Sequence, residues 1–130
     1  MIYLDASALV TLLARRTYAD QLREFLGSRP VAPMATSTLG FVETVRTMDR
    51  LGDYPACMRD LVSSVTEILL TEEIRDAAAH LSGALRTLDA IHVASAQALG
   101  DALDTLVTYD KRMFDVARAA GLTTAAPGLL

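Results

Sequence analysis

Four acidic residues lie in otherwise apolar stretches of the chain, where a solvated charge has no obvious role. They are Asp5 in Ile-Tyr-Leu-Asp-Ala-Ser, Glu43 in Phe-Val-Glu-Thr-Val, Asp89 in Leu-Asp-Ala-Ile-His, and Asp110 in Val-Thr-Tyr-Asp-Lys-Arg. Burying a carboxylate is unfavourable unless a positive group meets it. Carboxylate oxygens are also the ligands that Mg²⁺ prefers. The pattern therefore indicates acids that share a divalent cation, and we predict a magnesium site.

The expected chemistry follows from how proteins use this ion. Magnesium is usually held by one or two carboxylates together with waters and phosphate oxygens. We expect Asp5 and Asp89 to bind it directly, and Asp110 and Glu43 to complete the pocket directly or through water. Such an ion polarises phosphoryl oxygens and lowers the pKa of a bound water, which attacks the phosphorus, and a second ion can stabilise the leaving oxygen. The four acids are thus predicted catalytic residues, with Asp5, Asp89 and Asp110 as metal ligands.

The basic residues are the candidates for phosphate contacts. The net charge is −4, which argues against a broadly basic nucleic-acid surface, but part of the negative charge is neutralised if the acids hold metal. We predict that Arg46 and Arg50, which share a helix face with Glu43, hold substrate, together with Lys111 and Arg112. Each of them taken singly is more commonly a solvated surface charge.

Each acid also has a simpler explanation as part of a helix terminus. Asp5, Asp89 and Asp110 precede predicted helices, where Asp is a favoured N-cap, and Glu43 with Arg46 fits a surface pair. Other residues compete for the caps: Ser7 for the first helix and Thr87 for the helix that contains Asp89. Four coincidences in apolar settings are the less economical account, so the site interpretation is preferred.

Three hydroxyl or imidazole side chains lie beside the acids. Ser7 is a candidate for orienting Asp5 or a metal-bound water and for binding substrate, but its sequence position fits a helix cap better. Thr108 has the same two interpretations. His92 lies three residues after Asp89, a spacing that allows a joint ligand pair for manganese or zinc. Its neighbours Ile91, Val93 and Ala94 are apolar, which favours a hydrogen-bonded core histidine instead.

The hydrophobic pattern alternates strand and helix. It predicts strands at 1–5, 31–35, 67–70, 105–109 and 122–125, and helices at 7–14, 38–51, 54–64, 72–85, 88–99 and 111–120, with a further helix ending at Gly27. Apolar strands separated by helices predict a parallel sheet covered on both faces. In such folds ligands bind beyond the carboxyl ends of the strands, where Asp5 and Asp110 are predicted to lie.

Size and composition predict a single cytoplasmic domain. The chain has 130 residues, of which 52% are hydrophobic, enough for one core. Cys57 is the only cysteine, which excludes an internal disulfide and a cysteine-rich zinc site. A signal peptide has a basic residue before its apolar segment, and none precedes the apolar start of this sequence. No stretch approaches the roughly 20 apolar residues of a membrane span.

The segments quoted for the four acids resemble the PIN-domain ribonucleases, and among them the VapC toxins of bacterial toxin–antitoxin pairs. The most specific part is Leu-Asp-Ala-Ile-His with Thr-Tyr-Asp downstream. The resemblance implies one three-layer α/β/α domain over residues 1–130 with a central parallel sheet in the order 3-2-1-4-5. It also implies RNA cleavage with magnesium or manganese, a homodimer, and a cognate antitoxin.

Two features suggest how the partners bind. The high apolar fraction predicts a buried partner face on the N-terminal helices. An antitoxin could inhibit by placing an arginine among the acids. Two rival functions remain at this stage. One is a PIN fold that only binds or regulates. The other is a response-regulator receiver domain, which needs an acceptor Asp at the end of the middle strand; this sequence has none at the end of the strand near 66–70.

Overall fold

The computed structural model describes residues 1–52 and 54–130, which form a parallel sheet flanked by helices. The strands are β1 (Ile2–Leu4), β2 (Met34–Ser37), β3 (Val65–Ile68), β4 (Thr105–Val107) and β5 (Thr124–Ala125). The helices are α1 (Ala6–Leu13), α2 (Ala19–Gly27), α3 (Thr38–Leu51), α4 (Cys57–Ser64), α5 (Glu72–Ala79), α6 (Thr87–Gln97) and α7 (Lys111–Ala119), with a short 3-10 turn at Gly100–Ala102.

The sheet order is β3-β2-β1-β4-β5 and all described pairings are parallel. Strand β1 lies in the centre, where Tyr3 pairs with Ala35 of β2 and Leu106 of β4. The chain leaves β1 toward β2 on one side and later returns as β4 on the other. The carboxyl ends of β1 and β4 therefore meet at the switch point at which α/β folds bind ligands.

Alternation along the central strands produces two cores, one on each face of the sheet. Ile2 and Leu4 pack in the cluster formed with α1, α2, α3 and α4. Tyr3 points to the opposite face, into the cluster formed with α6 and α7. Leu106 and Val107 of β4 divide between the same two clusters. This arrangement is the predicted three-layer α/β/α architecture with strand order 3-2-1-4-5.

A glycine near the start of α3 allows that helix to follow β2 without a connecting loop. Ser37 caps the helix by accepting a hydrogen bond from the Gly40 N–H at 3.0 Å. A Cβ on Gly40 would lie 2.0 Å from Oγ1 of Thr36, so no larger residue fits without displacement. The close approach places Glu43, one turn further along α3, over the carboxyl end of the sheet.

Most predicted elements differ from the structure by a few residues at one end or both, and three of these differences have a clear cause or a large extent. The strand predicted at 31–35 begins only at Met34, because pairing with β1 starts where Ile2 N–H donates to Pro33 O, and Val31 is exposed. The strand predicted at 67–70 ends at Ile68. The helix predicted at 72–85 ends at Ala79, since Ser82 and Gly83 lie in a turn that precedes α6.

The predicted apolar face on the N-terminal helices is wrong. Among the described residues, α1 and α2 present no exposed large apolar side chain. Such side chains occur instead along α3 and α4 and beside the sheet edge, at Val42, Leu51, Met58, Val62, Leu69 and Leu70. The apolar side chains of α1 are buried or half-buried in the core. No helix in the described part of the chain is long and apolar enough to cross a bilayer.

Candidate active site

Asp5 is a buried carboxylate fixed by three hydrogen bonds. It follows β1 and caps α1, where Oδ1 accepts from Ala8 N–H at 2.9 Å and from Ser7 Oγ at 2.7 Å. Oδ2 accepts from Thr108 Oγ1 at 2.6 Å. The residue is 2% exposed and makes no ion pair with any described lysine or arginine. Burial raises the pKa of Asp5, while the charge of His92 and these hydrogen bonds oppose that effect.

Two hydroxyl groups join the carboxyl end of β1 to that of β4. Ser7 Oγ accepts from Tyr109 N–H at 2.9 Å while it donates to Asp5. Thr108 Oγ1 likewise accepts from Asp110 N–H at 3.0 Å while it donates to Asp5. The interpretation of Ser7 as the cap of α1 is wrong, because Asp5 itself is the cap and Ser7 orients its carboxylate. Thr108 has the same orienting contact.

Arg86 bridges the other two aspartates. Its Nε lies 3.2 Å from Asp89 Oδ2 and its Nη2 lies 3.7 Å from Asp110 Oδ2. The hydrogen bond and charge of Asp89, followed by the charge of Asp110, raise the pKa of this exposed guanidinium, so it remains protonated. One guanidinium therefore contacts both carboxylates.

The helix-cap interpretation is correct for one of these aspartates and wrong for the other. Asp110 caps α7, accepting from Met113 N–H at 3.1 Å. Asp89 instead lies within the first turn of α6 and is buried. The N-cap of α6 is Arg86, without a side-chain cap bond, and Thr87 is the first residue of the helix. For Asp5 and Asp110 capping and a place in the site coexist.

Glu43 is held by a histidine rather than by an arginine of its own helix. His92 Nε2 lies 2.6 Å from Glu43 Oε1, and His92 Nδ1 lies 2.7 Å from Tyr3 Oη. Both ring nitrogens are therefore engaged, which leaves neither for a metal in this arrangement, and His92 is the hydrogen-bonded core histidine that the sequence favours. Burial raises the pKa of Tyr3 to about 12, so its hydroxyl is protonated at neutral pH.

A small cavity brings two of the acids to one surface. It has a volume of about 180 Å³ and is lined by Glu43, Arg86, Thr87, Leu88 and Asp89. A larger and mostly apolar cavity of about 380 Å³ lies between α5 and α6, but none of the four acids lines it. The chemistry of the side chains therefore identifies the smaller cavity as the relevant one.

The donor set fits a hydrated divalent cation. The available atoms are carboxylate oxygens, as magnesium and manganese prefer, and the buried Asp5 lacks a cationic partner. Within residues 1–52 and 54–130, no three His, Cys, Asp or Glu side chains form a preassembled ligand group. Magnesium needs only one or two protein carboxylates, so Asp5 with Asp89 or Asp110 would suffice to hold it.

The four residues predicted to contact phosphate lie on the protein surface. Arg46, Arg50, Lys111 and Arg112 are solvent-exposed and form no ion pair with a described carboxylate. Arg50 donates to Thr47 Oγ1 at 3.2 Å. Their role in substrate binding stays a prediction. Sequence reasoning missed Arg86 and Tyr3 as members of the site, although Arg86 lies three residues before Asp89, at the spacing of a helix pair.

Sequence comparison decides the family. Residues 2–119 match the family described as PIN domain. Ribonuclease VapC46 of Mycobacterium tuberculosis (strain ATCC 25618 / H37Rv) is 38% identical over 128 residues, which cover 97% of both chains. Ribonuclease VapC47 of strain CDC 1551 / Oshkosh is 38% identical over 133 residues and 98% of both chains. The chain belongs to the PIN-domain family of VapC ribonucleases.

Solved structures of PIN-domain proteins share the fold of this VapC-type chain. VapC20 of Mycobacterium tuberculosis, described as a Sarcin-Ricin loop cleaving toxin, superposes with a TM-score of 0.74 at 18% identity and covers 98% of this chain and 100% of that one. FitAcB from Neisseria gonorrhoeae gives a TM-score of 0.66 at 16% identity, with 100% of both chains covered.

These comparisons confirm the predicted fold class, the PIN family and the ribonuclease class of this PIN domain. They exclude the receiver domain. PIN-domain VapC ribonucleases depend in general on a divalent metal, in agreement with the donor set of the acids. VapC proteins pair with antitoxins. Which ion this chain uses, which residues hold it and which proteins it binds are proposals.

Proposed function

We propose that this PIN domain is the toxin of a toxin–antitoxin pair and hydrolyses RNA phosphodiester bonds with Mg²⁺ held by Asp5, Asp89 and Asp110, with Glu43 as the fourth catalytic residue. Mn²⁺ is expected to substitute, since both ions accept the same oxygen donors. One observation carries the proposal: the buried Asp5 carboxylate has no cationic partner and lies at the sheet edge where Arg86 already bridges Asp89 and Asp110.

The chain's own residues set the geometry of the reaction. Ser7 and Thr108 fix both oxygens of Asp5, so this ligand needs no reorganisation when the site is loaded. Glu43 is placed to hold the attacking water through the carboxylate oxygen that His92 leaves free. When bound, the metal supplies Lewis-acid polarisation of the phosphoryl oxygen and lowers the pKa of a bound water.

Arg86 has two successive partners in this proposal. Without metal, its guanidinium neutralises Asp89 and Asp110. With Asp89 and Asp110 committed to a metal ion, Arg86 would be released from both carboxylates and would be available to a phosphate oxygen of RNA. Arg46, Arg50, Lys111 and Arg112 then hold the backbone on either side. The Ser7 hydroxyl already donates to Asp5 and accepts from Tyr109 N–H, so it contacts substrate only as an acceptor, through its remaining lone pair.

The contact of Arg86 also indicates how an antitoxin can silence the site. An arginine from the partner that reached Asp89 and Asp110 would reproduce an ion pair the fold already forms. We place the partner faces of the antitoxin and of the homodimer over α3 and α4, because the exposed apolar side chains Val42, Met58 and Val62 lie there. The RNA substrate implies that the protein acts in the cytoplasm.

Cleavage of a labelled RNA by protein purified free of partner tests the proposal. Mg²⁺ or Mn²⁺ should support cleavage, EDTA should abolish it, and Asp89→Asn, purified in parallel, should be inactive with either ion. The Asn variant also controls for contaminating nucleases. Cleavage by the wild type that persists in EDTA, while Asp89→Asn stays inactive, would exclude the metal mechanism.

A further inference from the structure

Three hydrogen bonds link the core of the protein to Glu43 through His92. A carboxylate only accepts hydrogen bonds, so His92 Nε2 donates its N–H to Glu43 Oε1. Tyr3 Oη accepts from Ser37 N–H at 3.2 Å and is hydrogen-bonded to His92 Nδ1 at 2.7 Å. The hydrogen-bonded series therefore runs from the Ser37 amide through Tyr3 and His92 to the Glu43 carboxylate.

This hydrogen-bonded series begins in the tightly packed core at Tyr3 and ends in the candidate active site at Glu43. Tyr3 is fully buried on the central strand, and its ring meets the His92 ring edge-on with centroids 5.8 Å apart. His92 is 1% exposed, whereas the Glu43 side chain is 27% exposed and lines the cavity that also contains Asp89. Without His92, the carboxylate on α3 would sample several rotamers.

We propose that His92, oriented by Tyr3, is a positioning residue that fixes the Glu43 carboxylate for RNA cleavage. This inference rests on the proposed function and deepens it. A histidine with a purely structural role has no need of a partly exposed carboxylate from another helix, since backbone carbonyls can satisfy its ring. Here the second partner is one of the four acids, and the bond links α6, which carries Asp89, to α3.

The test compares three variants at the two buried positions. His92→Leu removes the donor to Glu43, His92→Gln keeps an N–H donor of similar reach, and Tyr3→Phe removes only the hydroxyl that orients the ring. Loss of an outer-shell partner typically lowers activity or metal affinity about 10- to 100-fold. We expect His92→Leu to lower kcat by that factor with KM for RNA nearly unchanged. His92→Gln should recover part of the loss, and Tyr3→Phe should show a smaller loss.

A Glu43→Ala background separates positioning from general stability. If His92 acts through Glu43, His92→Leu should cost single-turnover cleavage little more once Glu43 is absent, because coupled residues are not additive. An equal loss in both backgrounds would overturn the proposal. Full kcat in His92→Leu would do the same. Should His92→Leu fail to fold, His92→Gln and Tyr3→Phe provide the same comparison.

Nuclear magnetic resonance of the metal-free protein gives a readout that does not depend on activity. We expect a hydrogen-bonded Nε2 proton at His92 whose resonance is lost in Glu43→Ala. A His92 Nε2 that carries no proton, or a resonance that Glu43→Ala leaves unchanged, would refute the contact. Absence of RNA cleavage by the wild type would instead refute the proposed function, while these resonances would still decide whether His92 holds Glu43.

Discussion

The guanidinium of Arg86 lies 3.2 Å from a carboxylate oxygen of Asp89 at the start of α6 and reaches Asp110 at the start of α7. One exposed side chain thus neutralises two of the four acids, while Asp5, buried beside them, has only neutral hydrogen-bond donors. The site therefore contains an exposed internal cation, Arg86, that a metal ion can displace. It also contains a buried carboxylate, Asp5, that has no lysine or arginine partner among the described residues. Both features favour a divalent ion over a purely structural cluster.

Arg86→Gln should bind Mg²⁺ more tightly than the wild type and cleave RNA more slowly. The first effect follows because the competing cation is gone, and the second because a phosphate contact is lost. Exposed ion pairs are weak, so the gain in affinity should be modest, roughly two- to fivefold. Mn²⁺ binding followed by electron paramagnetic resonance, beside a cleavage assay, measures both. Arg86→Lys is the matched control. Weaker ion binding in Arg86→Gln would show that Arg86 does not compete.

The raised pKa of Asp5 predicts a pH-dependent stability difference in EDTA. In the folded protein Asp5 binds its proton more tightly than in the unfolded chain. The stability this provides is fully present below the unfolded pKa and is lost as the pH rises through the folded pKa. Asp5→Asn stays neutral at every pH, and Asn can retain the hydrogen bonds to Ser7 and Ala8. Its Tm should exceed that of the wild type near neutral pH.

Thermal melts between about pH 4 and pH 8 check this expectation. The difference in Tm between Asp5→Asn and the wild type should shrink as the pH falls and Asp5 takes up its proton. A difference that is constant with pH, or that grows on acidification, would contradict the assigned cause of the shift.

The parallel sheet and the acids could be predicted from short-range sequence pattern, whereas the strand order 3-2-1-4-5 is implied only by the resemblance to PIN domains. Apolar strands that alternate with helices predict a parallel sheet, and Asp5 follows β1 directly while Asp110 lies three residues after the end of β4. The partners of the acids could not be predicted in the same way. Tyr3 meets His92 across 89 residues and His92 meets Glu43 across 49, contacts that only the assembled layers create.

The position of the apolar surface could not be predicted either. The first helix is almost wholly apolar, which suggested a partner face. In the structure its apolar side chains are buried or half-buried by packing against the sheet and α3. Helix α4 has a more polar sequence, yet Met58 and Val62 remain exposed on it. Which side of an amphipathic helix is covered depends on the tertiary arrangement rather than on composition.

Magnesium should stabilise the wild type more than it stabilises variants that lack a ligand. An ion that binds only the folded state adds RT ln(1 + [Mg]/Kd), about 2.7 kcal/mol at 100 times Kd. Asp89→Asn and Asp5→Asn should gain much less at the same concentration. Melts with and without MgCl₂ measure the effect, and NaCl at equal ionic strength controls for screening. Equal shifts in all three proteins would exclude these residues as ligands.

Thr108→Val should lower metal affinity or RNA cleavage about 10- to 100-fold without unfolding the protein. The hydroxyl orients Asp5 and accepts from the Asp110 amide, whereas the substituted side chain keeps the same shape. Thr44→Val is the matched control, because the Thr44 hydroxyl is buried and has no hydrogen-bond partner among the described residues. The control should leave cleavage unchanged. Equal activity in both variants would show that Thr108 does not orient Asp5 for function.

A crystal structure of the partner-free protein with Mn²⁺, recorded at the manganese absorption edge, tests the central claim most directly. The account predicts an anomalous peak bound by Asp5 together with Asp89 or Asp110, at about 2.0–2.1 Å from their oxygens, as for magnesium. It also predicts that Arg86 has moved away from both aspartates and that His92 still holds Glu43. No peak among the acids at saturating Mn²⁺, with Arg86 still bridging Asp89 and Asp110, would contradict it.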